Sequence, residues 1–230
     1  MLASAYGPRP GDDIGRVGEV VAKVESRVRG RRATSRLMNS LTFGSYNKAF
    51  APAATAPTVH RRLLFFGIVR PYKGLDVLLR ALAAGPDDVA LRVVGEFWGG
   101  TGTTEALIDE LGLRDRVELR PGYAAADEVP ALFADCDALA LPYRTATGSQ
   151  AVWMAYEFGV PVVVTTAGRL ADDVRPGVDG LVVPPDDVAA LAQALREFYE
   201  PGVPERLRAA VRPVDPDPYW ERYLHLLLSS

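Results

Sequence analysis

LLFFGIVRPYKGLDVLLRAL, residues 63–82, is the stretch from which the fold is read. Its first part, 63–68, is a short apolar run containing two phenylalanines. A run of that length reads as a strand buried on both faces. From Leu75 the apolar residues fall at helical spacing, so 75–84 reads as a helix. The strand ends at Gly67, and Arg70 and Lys73 stand just before the helix. A helix start presents unpaired N–H groups and the positive end of its dipole, and two cations beside it add to that field. The combination is a candidate diphosphate cradle. The plainer alternative is two solvated surface cations.

The same alternation continues outward. Further apolar runs lie at 90–94, 117–119, 138–141, 160–164 and 180–183, and helix-patterned stretches at 104–111, 127–134, 150–158 and 188–199. Strands alternating with helices form βαβ units around a buried parallel sheet. Right-handed crossovers make the expected fold an α/β, Rossmann-like doubly wound parallel sheet. Ligands of such sheets bind beyond the carboxyl ends of the strands. That rule selects loops 69–74, 96–103, 122–126, 142–148 and 165–169.

A second informative segment is ALPYRTATGSQAVWMAYEFGVPVVVT, residues 140–165. A buried strand again runs into a small-residue loop and then a helix. Ser149 is a natural N-cap, and Gly148 lets a backbone approach a ligand closely. The plainer alternative is an ordinary strand–loop–helix turn.

Other candidates carry less. GEFWGGTGTTE, residues 95–105, has neither the spacing nor the terminal lysine of a P-loop, so it reads as a mobile loop, with Trp98 at its tip either covering a ligand or simply exposed. Asp135 and Asp137 flank Cys136, where capping roles suffice and the thiol reads as packing. No Cys/His cluster suggests a metal, and His60 and His225 have no triad context.

The flanks differ in kind. Residues 1–60 carry nine Lys/Arg against four Asp/Glu, while the whole chain has a formal net charge of −3. Ile14, Val17, Val21, Val24 and Val28 alternate at three and four, which reads as an amphipathic helix over 13–29. That helix is expected to dock on this domain, on a partner or on a second copy. Residues 51–58 read as a linker, 200–217 as a longer one, and 218–228 as a terminal docking helix. The expected division is therefore 1–60 helical appendage, 61–200 Rossmann-like domain, 201–230 linker and docking helix. Nothing global points to nucleic acid. No signal peptide or membrane span is evident, a membrane-surface role for the 13–29 helix is a minor alternative that nothing indicates, and the expected location is cytoplasmic.

FGIVRPYKGLDVLL, FADCDALALPYR, AYEFGVPVVVTTAG and GVDGLVVPPDDVAALAQAL occur in this order. Together, over residues 63–199, they resemble the C-terminal, donor-binding domain of glycosyltransferase family 4, the C-terminal half of a GT-B fold. The resemblance implies retaining transfer of a sugar from a nucleoside-diphosphate donor, with no cofactor beyond that donor substrate. By position, Lys73 matches the basic residue that holds the diphosphate. The family's second basic residue directly follows the strand-ending glycine, where this chain has Ile68, so Arg70 substitutes from two positions later. Gly122 and Tyr123 match the lining of the base pocket, and residues 146–149 match the turn that meets donor sugar and phosphates.

The departures are equally specific. The family's two glutamates, separated by seven residues, correspond here to Ala146 and Met154, neither of which offers a strong side-chain acceptor. Glu157 would need a rotated helix to compensate. Members with a T/S-x-S-like loop in place of the first glutamate look closer, and in them Thr147, Ser149 or Gln150 would take over the sugar contacts. Asp172 stands where the family often has a glutamate. No catalytic residue can be named. A GT-B enzyme also needs an N-terminal domain of about 150–200 residues, and residues 1–60 show no βαβ alternation. The expectation is a donor-binding half that works with a separate or missing N-terminal domain, or else a degenerate nucleotide-sugar-binding or regulatory module. A response-regulator-type binder is disfavoured because no acidic cluster follows the first strand.

Overall fold

The computed structural model describes residues 58–146 and 150–213. These belong to the second of the chain's two compact units, Asn47–Ser230; the first, Met1–Tyr46, lies outside the described residues. The expected 13–29 helix, the terminal 218–228 helix and the 147–149 turn likewise fall outside them.

Six strands form one sheet among the described residues: β1 Arg62–Phe66, β2 Ala90–Gly95, β3 Val117–Pro121, β4 Ala138–Leu141, β5 Val162–Thr165 and β6 Gly180–Val183. Their order is β3-β2-β1-β4-β5-β6, and every neighbouring pair is parallel. The helices are α1 Leu75–Ala84, α2 Gly102–Glu110, α3 Val129–Ala134, α4 Gln150–Glu157, α5 Val188–Phe198 and α6 Val203–Ala210. A 3-10 turn, Pro71–Lys73, precedes α1.

The period of two along each strand sends side chains into two separate cores. Leu63 and Phe65 of β1, Val93 of β2 and Ala138 and Ala140 of β4 pack beneath α1 and α5, against Leu78, Leu82, Leu191 and Leu195. Leu64, Leu139 and Leu141 face the other way, toward Phe133 of α3 and Val152 and Tyr156 of α4. A sheet covered on both faces has no polar alternation to keep. This is why 63–66 of β1, β4 and 162–164 of β5 read as unbroken apolar runs, whereas β2 carries Arg92 and the edge strand β3 carries Glu118 and Arg120.

One span departs from expectation. Residues 203–210, within the stretch read as linker, form α6, with Gly202 at its N-cap, Pro204 in its first turn and Leu207 fully buried. Proline in the first turn costs no hydrogen bond, because that N–H has no intrahelical partner in any case.

Because β1 has β2 on one side and β4 on the other, the chain reverses its winding between β1 and β4. This switch point opens a crevice at the carboxyl ends of those two strands.

Candidate anion site at the switch point

The loop after β1 enters this crevice. Gly67 closes the strand with φ 105°, and its N–H donates to the Val94 carbonyl at 2.9 Å. Pairing with β2 then persists past the strands, because Val69 N–H donates to the Glu96 carbonyl at 2.8 Å and Trp98 N–H to the Val69 carbonyl at 3.2 Å. The 95–105 segment is therefore anchored as far as Trp98, a correction to the mobile loop its glycines suggested. Gly99 and Gly100, with φ of 100° and 86°, then turn the chain.

Arg70 and Lys73 are both half-buried, and each is close enough to feel the other's charge. Lys73 Nζ sits 5.0 Å from the centroid of Tyr143, which follows β4, and 3.5 Å from where a Cβ on Gly67 would stand. The ammonium thus lies between the ends of β1 and β4. Burial, and then the charge of Arg70, hold the Lys73 amine below the ordinary lysine range. No carboxylate among the described residues pairs with either cation. Arg70 Cζ lies 3.5 Å from the centroid of Trp98, and its Nε is buried without a hydrogen-bond partner. Two cations that repel each other, both partly stripped of water and without a counter-ion among the described residues, make this a candidate anion site.

A carboxylate and an arginine meet at the start of α1. The Asp76 carboxylate stands in the first turn of α1. That carboxylate accepts from Arg144 Nη1 at 2.8 Å and Nη2 at 2.7 Å. Arg144 first, through these hydrogen bonds, holds the Asp76 carboxyl below the usual carboxylate range. Arg144 and Asp76 thus spend their charges on each other, and among the described residues the cations without a protein partner beside this helix start are Arg70 and Lys73. Gly74, φ 67°, lets α1 begin against β4: a Cβ there would stand 2.0 Å from the Pro142 carbonyl oxygen.

Arg144 was not singled out from the sequence. Besides Asp76 it bonds Asp186 after β6, Nε to Oδ1 at 2.6 Å, and its Nη1 donates to the Pro71 carbonyl at 2.6 Å. Its N–H donates to the Tyr72 carbonyl at 2.7 Å. It therefore straps three loops together and fixes the turn that carries Lys73. The only signal in the sequence was an arginine three residues past a buried strand.

The remaining candidates divide. Gly122 N–H donates to the Gly95 carbonyl at 2.9 Å, which joins the end of β3 to the end of β2. Tyr123 is 73% exposed, and its hydroxyl donates to Glu96, two residues before Trp98. Gln150 opens α4, and its side-chain Nε2 is buried with no partner among the described residues. Thr147, Gly148 and Ser149 lie outside the described residues. Ala146 and Met154 are both half-buried, and the Ala146 carbonyl lies against Gly168, where a Cβ would be 1.6 Å away. Glu157 is already engaged by neighbours. Asp172 pairs with Arg169, Nε to Oδ2 at 2.6 Å.

Asp135 and Asp137 lie at the amino ends of the strands, across the sheet from the site. Asp137 is 2% exposed and accepts from the N–H groups of His60 and Arg62, both at 2.8 Å, and from the Tyr199 hydroxyl at 3.1 Å. Cys136 is buried, which pushes its thiol up to about 12. Among the described residues no group of three or more His, Cys, Asp or Glu side chains could hold a metal ion, and no helix is long and apolar enough to cross a membrane.

Comparison with known proteins gives a consistent pattern. The family described as "Glycosyl transferases group 1" matches residues 60–201. The D-inositol 3-phosphate glycosyltransferase of Mycobacterium sp. (strain KMS) is 34% identical over 175 residues, covering 74% of this chain and 39% of that protein. The GDP-mannose:glycolipid 4-beta-D-mannosyltransferase of Xanthomonas campestris pv. campestris is 28% identical over 184 residues, covering 78% and 50%. The chain thus spans half or less of the length of these relatives. Among solved structures, Anabaena Alr3699/HepE in complex with UDP superposes with a TM-score of 0.66 at 24% identity, covering 74% of this chain and 49% of that one. The C-terminal domain of a Francisella tularensis glycosyl transferase group 1 family protein (LpcC) does so with a TM-score of 0.63 at 16% identity, covering 77% and 97%.

Proposed function

This chain belongs to the group 1 glycosyl transferases, and on that footing we propose that it is the donor half of a retaining enzyme, binding the diphosphate of a nucleoside-diphosphate sugar between Arg70 and Lys73. The single observation that carries this is the unpaired, half-buried Lys73 ammonium in the β1/β4 crevice, depressed by burial and by Arg70. A diphosphate supplies the counter-charge both cations lack, and Arg70 can offer two parallel N–H donors to it. Gln150 Nε2, a buried donor without a described partner, suits a phosphate or sugar oxygen at the start of α4. Gly122 and Tyr123 border the same rim on the β2/β3 side, where the base would lie. The 147–149 turn is part of the proposed site, from its place in the sequence between Ala146 and Gln150.

Transfer needs groups on the acceptor side of a cleft that strengthen their contacts in the transition state. We assign those to an N-terminal domain, supplied by a further part of the same protein or by a partner docking through residues 13–29. The binding half is proposed to need no metal or cofactor, and to act in the cytoplasm. Ala146 and Met154 favour a second reading, a nucleotide-sugar-binding module without chemistry.

A thermal-shift titration with UDP, GDP and their sugars tests the proposal. Ligand at about one hundred times its dissociation constant stabilises the folded state by about 2.7 kcal/mol, which raises the midpoint measurably. A midpoint unmoved by every member of the panel contradicts donor binding. Stabilisation without transfer, even when an N-terminal half is supplied, favours the module.

A further inference from the structure

We propose that Trp98 is a positioning residue for anion binding, holding the Arg70 guanidinium face-on so that its edges stay free for a diphosphate. The inference rests on the diphosphate reading of the site.

Each of the other described arginines spends its guanidinium on a protein acceptor. Arg62, Arg92, Arg120, Arg144 and Arg175, for example, pair with carboxylates, and Arg116, Arg206 and Arg208 bond backbone carbonyls. Arg70 alone among the described arginines has no hydrogen bond or ion pair, and its contact is the Trp98 ring at 3.5 Å. A stacked guanidinium offers its flat face to the indole and keeps its in-plane N–H groups for another acceptor.

The ring itself is built to stay in place. Trp98 N–H is tied to the Val69 carbonyl, one residue before Arg70, and the Val69–Phe97 bridge sets the two loops in register. Yet the side chain is 57% exposed and contributes little to either core. The group stacked on this indole is the Arg70 guanidinium. Arginine otherwise loses considerable rotamer freedom when it grips an anion, and the stack removes much of that loss before binding.

Titration of inorganic pyrophosphate, UDP and GDP into the 230-residue chain tests this, using wild type, Trp98→Ala, Trp98→Phe, Arg70→Ala and the Arg70→Ala/Trp98→Ala pair. Trp98→Ala is expected to weaken pyrophosphate binding about threefold to tenfold, and Trp98→Phe, which keeps an aromatic face, by about twofold at most. In the Arg70→Ala background the Trp98 substitution is expected to add nothing, since its effect passes through Arg70. Equal losses with and without Arg70 overturn the proposal, as does a loss confined to UDP and GDP, because either result makes the ring a direct ligand contact. Unchanged affinity in Trp98→Ala overturns it while leaving the diphosphate site standing. If wild type binds none of the three, or Arg70→Ala binds them as wild type does, the inference and the reading beneath it fall together.

Discussion

Arg144 grips both carboxylate oxygens of Asp76, at 2.8 and 2.7 Å, across 68 residues of chain. This pair decides which positive charge at the switch point is available. Arg144 and Asp76 spend their charges on each other. The positive potential left for a ligand is that of Arg70 and Lys73.

Replacing Arg144 with Ala removes the strap among three loops and leaves Asp76 without its partner. Asp76 is nearly half exposed, so the loss is moderated by solvent and should come to about 1–2 kcal/mol. The folded-state pKa of Asp76 is depressed, so its contribution is present above the unfolded value of about 3.9 and is lost as pH falls through the folded value. Denaturant unfolding of wild type and Arg144→Ala should differ at pH 7 and converge in acid. Diphosphate affinity should fall as well, because the Pro71–Lys73 turn loses its bond to Arg144.

Asp137 predicts the opposite separation of stability from binding. Its carboxylate accepts from His60, Arg62 and Tyr199 while buried at the amino end of the sheet. Asp137→Ala strands buried donors and should cost about 3 kcal/mol. Asp137→Asn, which keeps an acceptor, should cost less. Neither should change ligand affinity of the folded fraction, measured where the variants remain folded.

Lys73 predicts a pH profile. Its pKa is lowered in the free protein by burial and by Arg70, and a bound anion raises it again. Affinity is therefore greatest below the free-state pKa and falls as pH rises through it. The fall begins at lower pH than for an ordinary lysine, which titrates near about 10.4. Lys73→Arg, charged throughout, should flatten the profile over the same range. An unchanged alkaline decline in that variant would remove Lys73 as its source.

The sheet was legible because strands buried on both faces must be apolar throughout, as in 63–66 and 138–141. The fold class and the β1-to-α1 loop followed from that alone. Helix α6 was not legible, since it is a short pair of turns with only Pro204 and Leu207 buried and Glu205, Arg206 and Arg208 between and beside them. Arg70 and Lys73 could be named from their place after Gly67. Their surroundings could not, because Trp98 reaches Arg70 only through the register of Val69 with Phe97. The Arg144–Asp76 pair was hidden for the same reason: Asp76 is a common first-turn residue, and its partner lies beyond β4.

The most direct measurement is a calorimetric titration of UDP and GDP into wild type and an Arg70→Ala/Lys73→Ala variant that remains folded by circular dichroism. Saturable binding of at least one diphosphate by wild type, lost in the variant, is the predicted result. Undiminished affinity in the variant would contradict the assignment of these two cations to a bound diphosphate.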